Sequence, residues 1–118
     1  MNELENTLQQ DRPSEPLKAV TFKQAYEEFR LRCDSRNLSS GTLAWYKQIL
    51  GGLERFLIQR YEVASMDEIT PGHIRAHLSQ LKARELSSET VHRTYGGMRC
   101  FFKFLLREGL IRSNPMEL

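Results

Sequence analysis

The stretch SSETVHRTYGGMRCFFKFLLREGL, residues 87–110, decides the fold. Val91, Tyr95, Met98, Phe102 and Leu105 recur three or four positions apart, the period of a helix with one buried face. Ser87 or Ser88 supplies the N-cap, and Gly109 suits the left-handed position that closes a helix. At about 100° per residue, Arg93, Gly96, Cys100, Lys103 and Arg107 lie opposite the apolar stripe, with His92 and Arg99 at one margin. Glu89 is the single acid near the start. A solvated helix face ordinarily mixes both signs in i,i+4 pairs. That pairing is missing here, so an anion-facing surface is favoured over a plain solvated face.

Three more helices precede this one. Thr70-Pro71 opens the third, with proline at the first helical position where its missing N–H costs nothing, and Ile74, Leu78 and Leu81 form its inner edge. The second starts at Ser39 or Ser40 and carries Leu43, Tyr46, Leu50, Leu53 and Leu57, flanked by Ile49 and Phe56. Gly51-Gly52 sits inside it at about 1 kcal/mol per glycine relative to alanine, which predicts a weak or bent middle. Thr21 with Gln24 fits a capping box for the first helix. Its stripe is Phe22, Ala25, Tyr26, Phe29 and Cys33, and it ends near Ser35–Asn37. No run alternates long enough for a strand, since Val20–Phe22 and Glu62–Ala64 are too short. The fold class is all-α, a bundle of four main helices. Residues 1–20 are a flexible lead-in, 21–112 the helical domain, and 113–118 a way out through Asn114-Pro115.

A chain of 118 residues with 40% apolar and 27% charged side chains supports one domain. The formal charge of +2 excludes nothing, but residues 71–118 hold eight basic and four acidic side chains. That local excess suggests an anionic partner. Cys33 and Cys100 form no CxxC or zinc-ribbon spacing, and no apolar run is long enough for a membrane span. The opening Met-Asn-Glu-Leu-Glu-Asn lacks the pattern of a signal peptide. These features predict a cytoplasmic setting.

No catalytic or metal-binding constellation stands out. His73 and His77 are four apart on one helix, yet no third ligand is in register, so they read as ordinary surface or edge histidines. Cys33 lies on an apolar stripe as a small core residue. Cys100 points outward with no adjacent base to make it a nucleophile. Tyr26, Tyr46 and Tyr95 lie on apolar stripes and read as packing residues, while Tyr61 closes the second helix. On the second helix Ala44, Gln48, Gly51 and Arg55 face outward with Lys47 at the margin. Ser39, Ser40 and Thr42 cap its start, a role compatible with a phosphate lying against the same N–H groups. Phe104 points away from the main stripe and Trp45 lies at a helix edge. Either they belong to an interface, or the N-terminal segment or first helix covers them.

The order of local patterns is then informative. Ser40-x-Thr42-x-x-x-Tyr46 is followed by Leu53-x-x-Phe56-Leu57 and by Ile69-Thr70 with Ile74 and Leu78. Then come Leu86-Ser87-Ser88-x-Thr90, Met98-Arg99-x-Phe101-Phe102-x-Phe104-Leu105 and Gly109-Leu110-Ile111-x-x-Asn114-Pro115. Over residues 21–116 this resembles the N-terminal core-binding, SAM-like domain of the tyrosine recombinases, the phage integrase and Xer-like family. The resemblance implies a DNA-binding domain that closes with a catalytic domain as a clamp on double-stranded DNA. It also implies a partner set of other recombinase protomers, four on two DNA sites. The parent reaction would be strand cleavage by a tyrosine through a 3′-phosphotyrosyl link, then exchange and rejoining, with no energy cofactor.

Catalysis in that family uses an Arg, a Lys, a His-x-x-Arg segment and a nucleophilic Tyr of the other domain. Here His73, His77 and His92 are followed three positions on by Ala76, Gln80 and Tyr95, so this chain is expected to be no enzyme by itself. The resemblance maps DNA contact onto Thr42 and Lys47 of the second helix and Thr90, Arg93, Arg99 and Lys103 of the fourth. With the outward stripe this gives Lys47, Arg93, Lys103 and Arg107 for phosphates, and Gln48 and Arg99 for bases. The alternative function is a stand-alone helical protein-interaction module whose basic stripe meets an acidic partner helix.

Overall fold

Thr21 caps the first helix: its hydroxyl accepts from the Gln24 N–H at 3.1 Å while the Gln24 side chain accepts from the Thr21 N–H at 3.0 Å. This reciprocal cap starts α1, Phe22–Ser35. In the computed structural model, which describes residues 19–116, three further helices follow: α2, Ser40–Tyr61; α3, Pro71–Ala83; and α4, Ser88–Arg107. Among the described residues there is no strand. The expected lead-in falls outside the described residues except for its last two positions.

Each helix start satisfies an N–H that the helix itself leaves unpaired. Ser39 and Ser87 are the caps, accepting from Thr42 N–H and Thr90 N–H. At α3 the Thr70 hydroxyl accepts from His73 N–H, and His73 Nδ1 accepts from Thr70 N–H. His73 is therefore a capping residue. The helix ends are equally local: Asn37, Glu62, Glu85 and Gly109 all adopt positive φ where the chain turns. Gly109, at φ 76, is the one of these whose residue type removes the Cβ penalty.

α2 runs unbroken through Gly51-Gly52, one helix as expected. Leu50, Leu53, Phe56 and Leu57 on either side are all buried, so packing offsets the poor helix propensity of the pair.

α4 touches each of the other three helices. Its buried face is accordingly wider than one stripe: Thr94, Gly97, Phe101 and Phe104 are buried together with Val91, Met98, Phe102 and Leu105. Phe104 is thus no exposed aromatic. α1 covers it, Phe29 meeting its ring at 5.6 Å. Phe29 also contacts Tyr46 at 5.0 Å and Phe101 at 5.3 Å, both edge-on, which ties α1, α2 and α4 at one point. At Gly97 α4 packs tightly on α2; a Cβ there would press on Ile49 Cδ1 and stand 3.0 Å from Trp45 Cη2.

His77 corrects the expectation of a surface or edge histidine. It is 4% exposed and packs on Phe56 at a centroid distance of 4.9 Å, so it belongs to the α2–α3 contact and not to the surface. Burial, with a smaller contribution from Arg84, lowers its pKa to about 4. The ring is therefore neutral at pH 7.

Both ends of the described chain fasten to one short 3₁₀ turn, Met66–Glu68. Met66 N–H donates to Val20 C=O at 2.8 Å, and Arg112 N–H donates to Asp67 Oδ1 at 3.2 Å. Packing continues beyond residue 112, since Asn114 and Met116 are buried and Asn114 Oδ1 accepts from Met116 N–H at 2.9 Å.

Candidate nucleic-acid interface

The outer arc of α4 is what its inner packing leaves over. With Met98, Phe101, Phe102 and Leu105 completely enclosed, the rotation of the helix is fixed, and Arg93, Gly96, Arg99, Cys100, Lys103 and Arg107 are all exposed. Among the described residues none of those four cations makes an ion pair. The pairs present join Arg30 to Glu27 and Asp34, and Arg32 to Glu108 at 4.0 Å.

The arc does not form one continuous site. Arg99, Lys103 and Arg107 line a groove of about 620 Å³ between α4 and α1. Its floor is Phe29, Tyr46 and Phe104, and its opposite wall carries Arg32 and Arg36. Gln48 and Thr90 line a different groove, about 730 Å³, between α2, α3 and the start of α4. There the cations are Arg55, Arg60 and Arg84, accompanied by Gln59 and Gln80. No carboxylate lines either groove. Tyr46 faces the first groove while Trp45, Gln48 and Gly52 face the second, so α2 parts the two. Thr42, Lys47 and Arg93 line neither groove; Lys47 and Arg93 are exposed, and Thr42 is half-buried with its hydroxyl against Ser39 Oγ at 3.0 Å. The Thr90 hydroxyl is held the same way by Ser87 Oγ, at 2.9 Å.

Sequence reasoning missed Arg32, Arg36, Arg60 and Arg84 as members of these surfaces. Arg32 and Arg36 sit in the closing turn of α1, where cations are favourable against the helix dipole for local reasons. Their position opposite Lys103 depends on how α1 lies on α4, which no local pattern carries.

The groove floors show no reactive group. Burial raises the Cys33 thiol pKa, the neighbouring Cys100 thiol adding to it. Burial first, then contact with Cys100, raises the Tyr46 phenol, which stays protonated at neutral pH. His77 Nδ1 has no hydrogen-bond partner. Among the described residues no three His, Cys, Asp or Glu side chains gather as a metal site, and no helix is long and apolar enough to cross a membrane.

Comparison with known proteins agrees with this architecture. Residues 31–109 match the family described as phage integrase, N-terminal SAM-like domain. The tyrosine recombinase XerC of Natranaerobius thermophilus is 39% identical over 83 residues, 70% of this chain and 28% of that protein. Tyrosine recombinase XerC of Anoxybacillus flavithermus is 32% identical over 83 residues, 70% of this chain and 27% of that protein. The Listeria innocua XerC is 35% identical over 80 residues, 68% of this chain and 26% of its own length. The chain thus spans only about a quarter of the length of these relatives. No solved structure matches significantly. An all-α bundle closed by a long aromatic-rich fourth helix, with this profile match over most of its length, belongs to the phage integrase N-terminal SAM-like domain family.

Proposed function

We propose that this domain grips duplex DNA on behalf of a tyrosine recombinase, orienting the recombination site for a catalytic domain. The observation that carries the reading is the outer arc of α4, whose four exposed cations have no carboxylate partner among the described residues. Unpaired cations on a rigid helix suit a polyanion with regularly spaced charges, and neutralising phosphates releases counterions. Lys47, Arg93, Lys103 and Arg107 hold phosphates, while Gln48 and Arg99 reach base edges. Thr42 and Thr90 lie in the first turns of α2 and α4, where the N–H groups not taken by the Ser39 and Ser87 caps favour a phosphate oxygen. Strand cleavage and rejoining by a tyrosine belong to residues outside this domain, as does the energetics of assembling four protomers.

A binding series tests the division of labour. Lys103→Ala should weaken binding to every duplex alike and reduce the salt slope by about 1, whereas Gln48→Ala should chiefly relax sequence preference. The reverse pattern overturns these assignments. A second reading draws on the aromatic floor of the α1–α4 groove, which an acidic partner helix with apolar side chains would fit. Such binding would show a defined protein stoichiometry and weak dependence on salt.

A further inference from the structure

We infer that α1 is a third DNA-contacting helix, with Arg32 and Arg36 facing Lys103 and Arg107 across one groove to form a track for a single phosphate strand. The inference rests on the DNA-gripping function proposed for the domain and adds residues that neither the α2 nor the α4 pattern supplies.

Charge is distributed unevenly along α1. Arg30 is held by two carboxylates of its own helix, Glu27 at 2.7 Å and Asp34 at 3.0 Å. Arg32 and Arg36 point elsewhere, into the groove. Arg36 has no ion pair among the described residues, and the contact of Arg32 with Glu108 is at the 4.0 Å limit. One helix thus separates a neutralised cation from two available ones, and the available ones face the three unpaired cations of α4. Five cations on two walls with no lining carboxylate repel one another unless an anion lies between them.

The shape of the groove points the same way. The Arg32 guanidinium lies 5.7 Å from the centroid of the Phe104 ring, which limits its wandering before any partner arrives. Gly96 lines the same groove, and a Cβ built there would meet nothing within 4 Å. The α4 backbone is therefore open to close approach on the side where the cations stand. The floor of Phe29, Tyr46 and Phe104 leaves the charged lining of the groove to the cations alone. A duplex backbone, with its evenly spaced charges, matches two facing rows of cations better than a peptide carrying a few acids.

Arg32 and Arg36 also complement the dipole at the end of α1, so the test needs a readout that a purely structural role does not move. Fluorescence anisotropy of the full chain with a mixed-sequence duplex, titrated over a range of salt, provides one. The double variant Arg32→Gln/Arg36→Gln should lose about two units of salt slope and bind on the order of tenfold more weakly at low salt, whatever the sequence. Arg30→Gln, on the same helix but outside the groove, should leave both quantities unchanged, and thermal melts check that all variants fold. Gly96→Ala should fold at least as well as the parent yet bind more weakly.

If Lys103→Gln and Arg107→Gln weaken binding while the α1 double variant behaves like Arg30→Gln, the α1 track is overturned and the DNA-gripping reading stands. If the unaltered chain binds no duplex even at low salt, that reading falls and takes the track with it. Weak salt dependence with a defined protein partner would likewise replace both.

Discussion

The two grooves parted by α2 are similar in size, about 620 and 730 Å³, and both are cationic, but they differ in what accompanies the charge. The α1–α4 groove joins an aromatic floor to cations and offers no side-chain amide. The α2–α3–α4 groove mixes arginines with Gln48, Gln59 and Gln80 over a buried, neutral His77. Cations on phosphates position a duplex without telling one sequence from another, whereas side-chain amides, which only the second groove holds, can also pair with base edges. On the function proposed above, the first groove would chiefly hold the duplex and the second would add sequence preference.

Both grooves depend on α4 keeping its rotation, so the largest effect should come from its core. Phe101 is fully enclosed and contacts Phe22, Phe29 and Phe102. Phe101→Ala should cost about 3–5 kcal/mol in denaturant unfolding and abolish binding at both grooves together. Loss of one groove's function alone would show that they are not mechanically joined.

The buried His77 beneath the second groove should make the stability of the whole domain sensitive to acid. The folded pKa of His77 is depressed to about 4 from 6.5, so the unfolded chain takes up the proton first. The stability from keeping the ring neutral is present above pH 6.5 and is lost as pH falls toward 4, up to about 3 kcal/mol in all. Unfolding followed across that window should show this acid limb, and His77→Leu should flatten it. An unchanged limb in the variant would assign it to other groups.

Base readout sets the next scale. Gln48→Ala should reduce discrimination between preferred and altered sites by about 1–3 kcal/mol while leaving the salt slope in place. Equal loss on all duplexes would make Gln48 a positioning contact.

The smallest effects separate two adjacent glycines. Gly97→Ala forces a Cβ against Ile49 and Trp45 at the α2–α4 crossing and should destabilise by about 1–3 kcal/mol. Gly96→Ala meets open space and should stabilise the helix by about 1 kcal/mol. Thermal melts read both signs.

Much of the fold is legible in the sequence because the interactions that start each helix are local. Thr21, Ser39, Thr70 and Ser87 are caps whose partners lie three residues away, so a short window of sequence contains both halves of each interaction. The outward set Arg93, Gly96, Cys100, Lys103 and Arg107 follows from helical geometry alone, and all five are exposed. What stays hidden depends on a neighbour. Phe104 falls off a five-residue stripe because α4 is packed by three helices, and α1 covers the extra arc. His77 sits where a polar residue is expected at an edge, yet Phe56 of α2 lies over it. The division of the site residues between two grooves is likewise a product of packing, since Gln48 and Arg99 cannot be assigned to different surfaces without α2 laid across Gly97.

The most direct measurement is a fluorescence-anisotropy titration of the unaltered chain with a mixed-sequence duplex at low and high salt. Binding at low salt should fall steeply as salt rises, with a log–log slope of about −0.9 for each phosphate neutralised. Absence of binding at low salt, or affinity indifferent to salt, would contradict the claim that these unpaired cations face DNA.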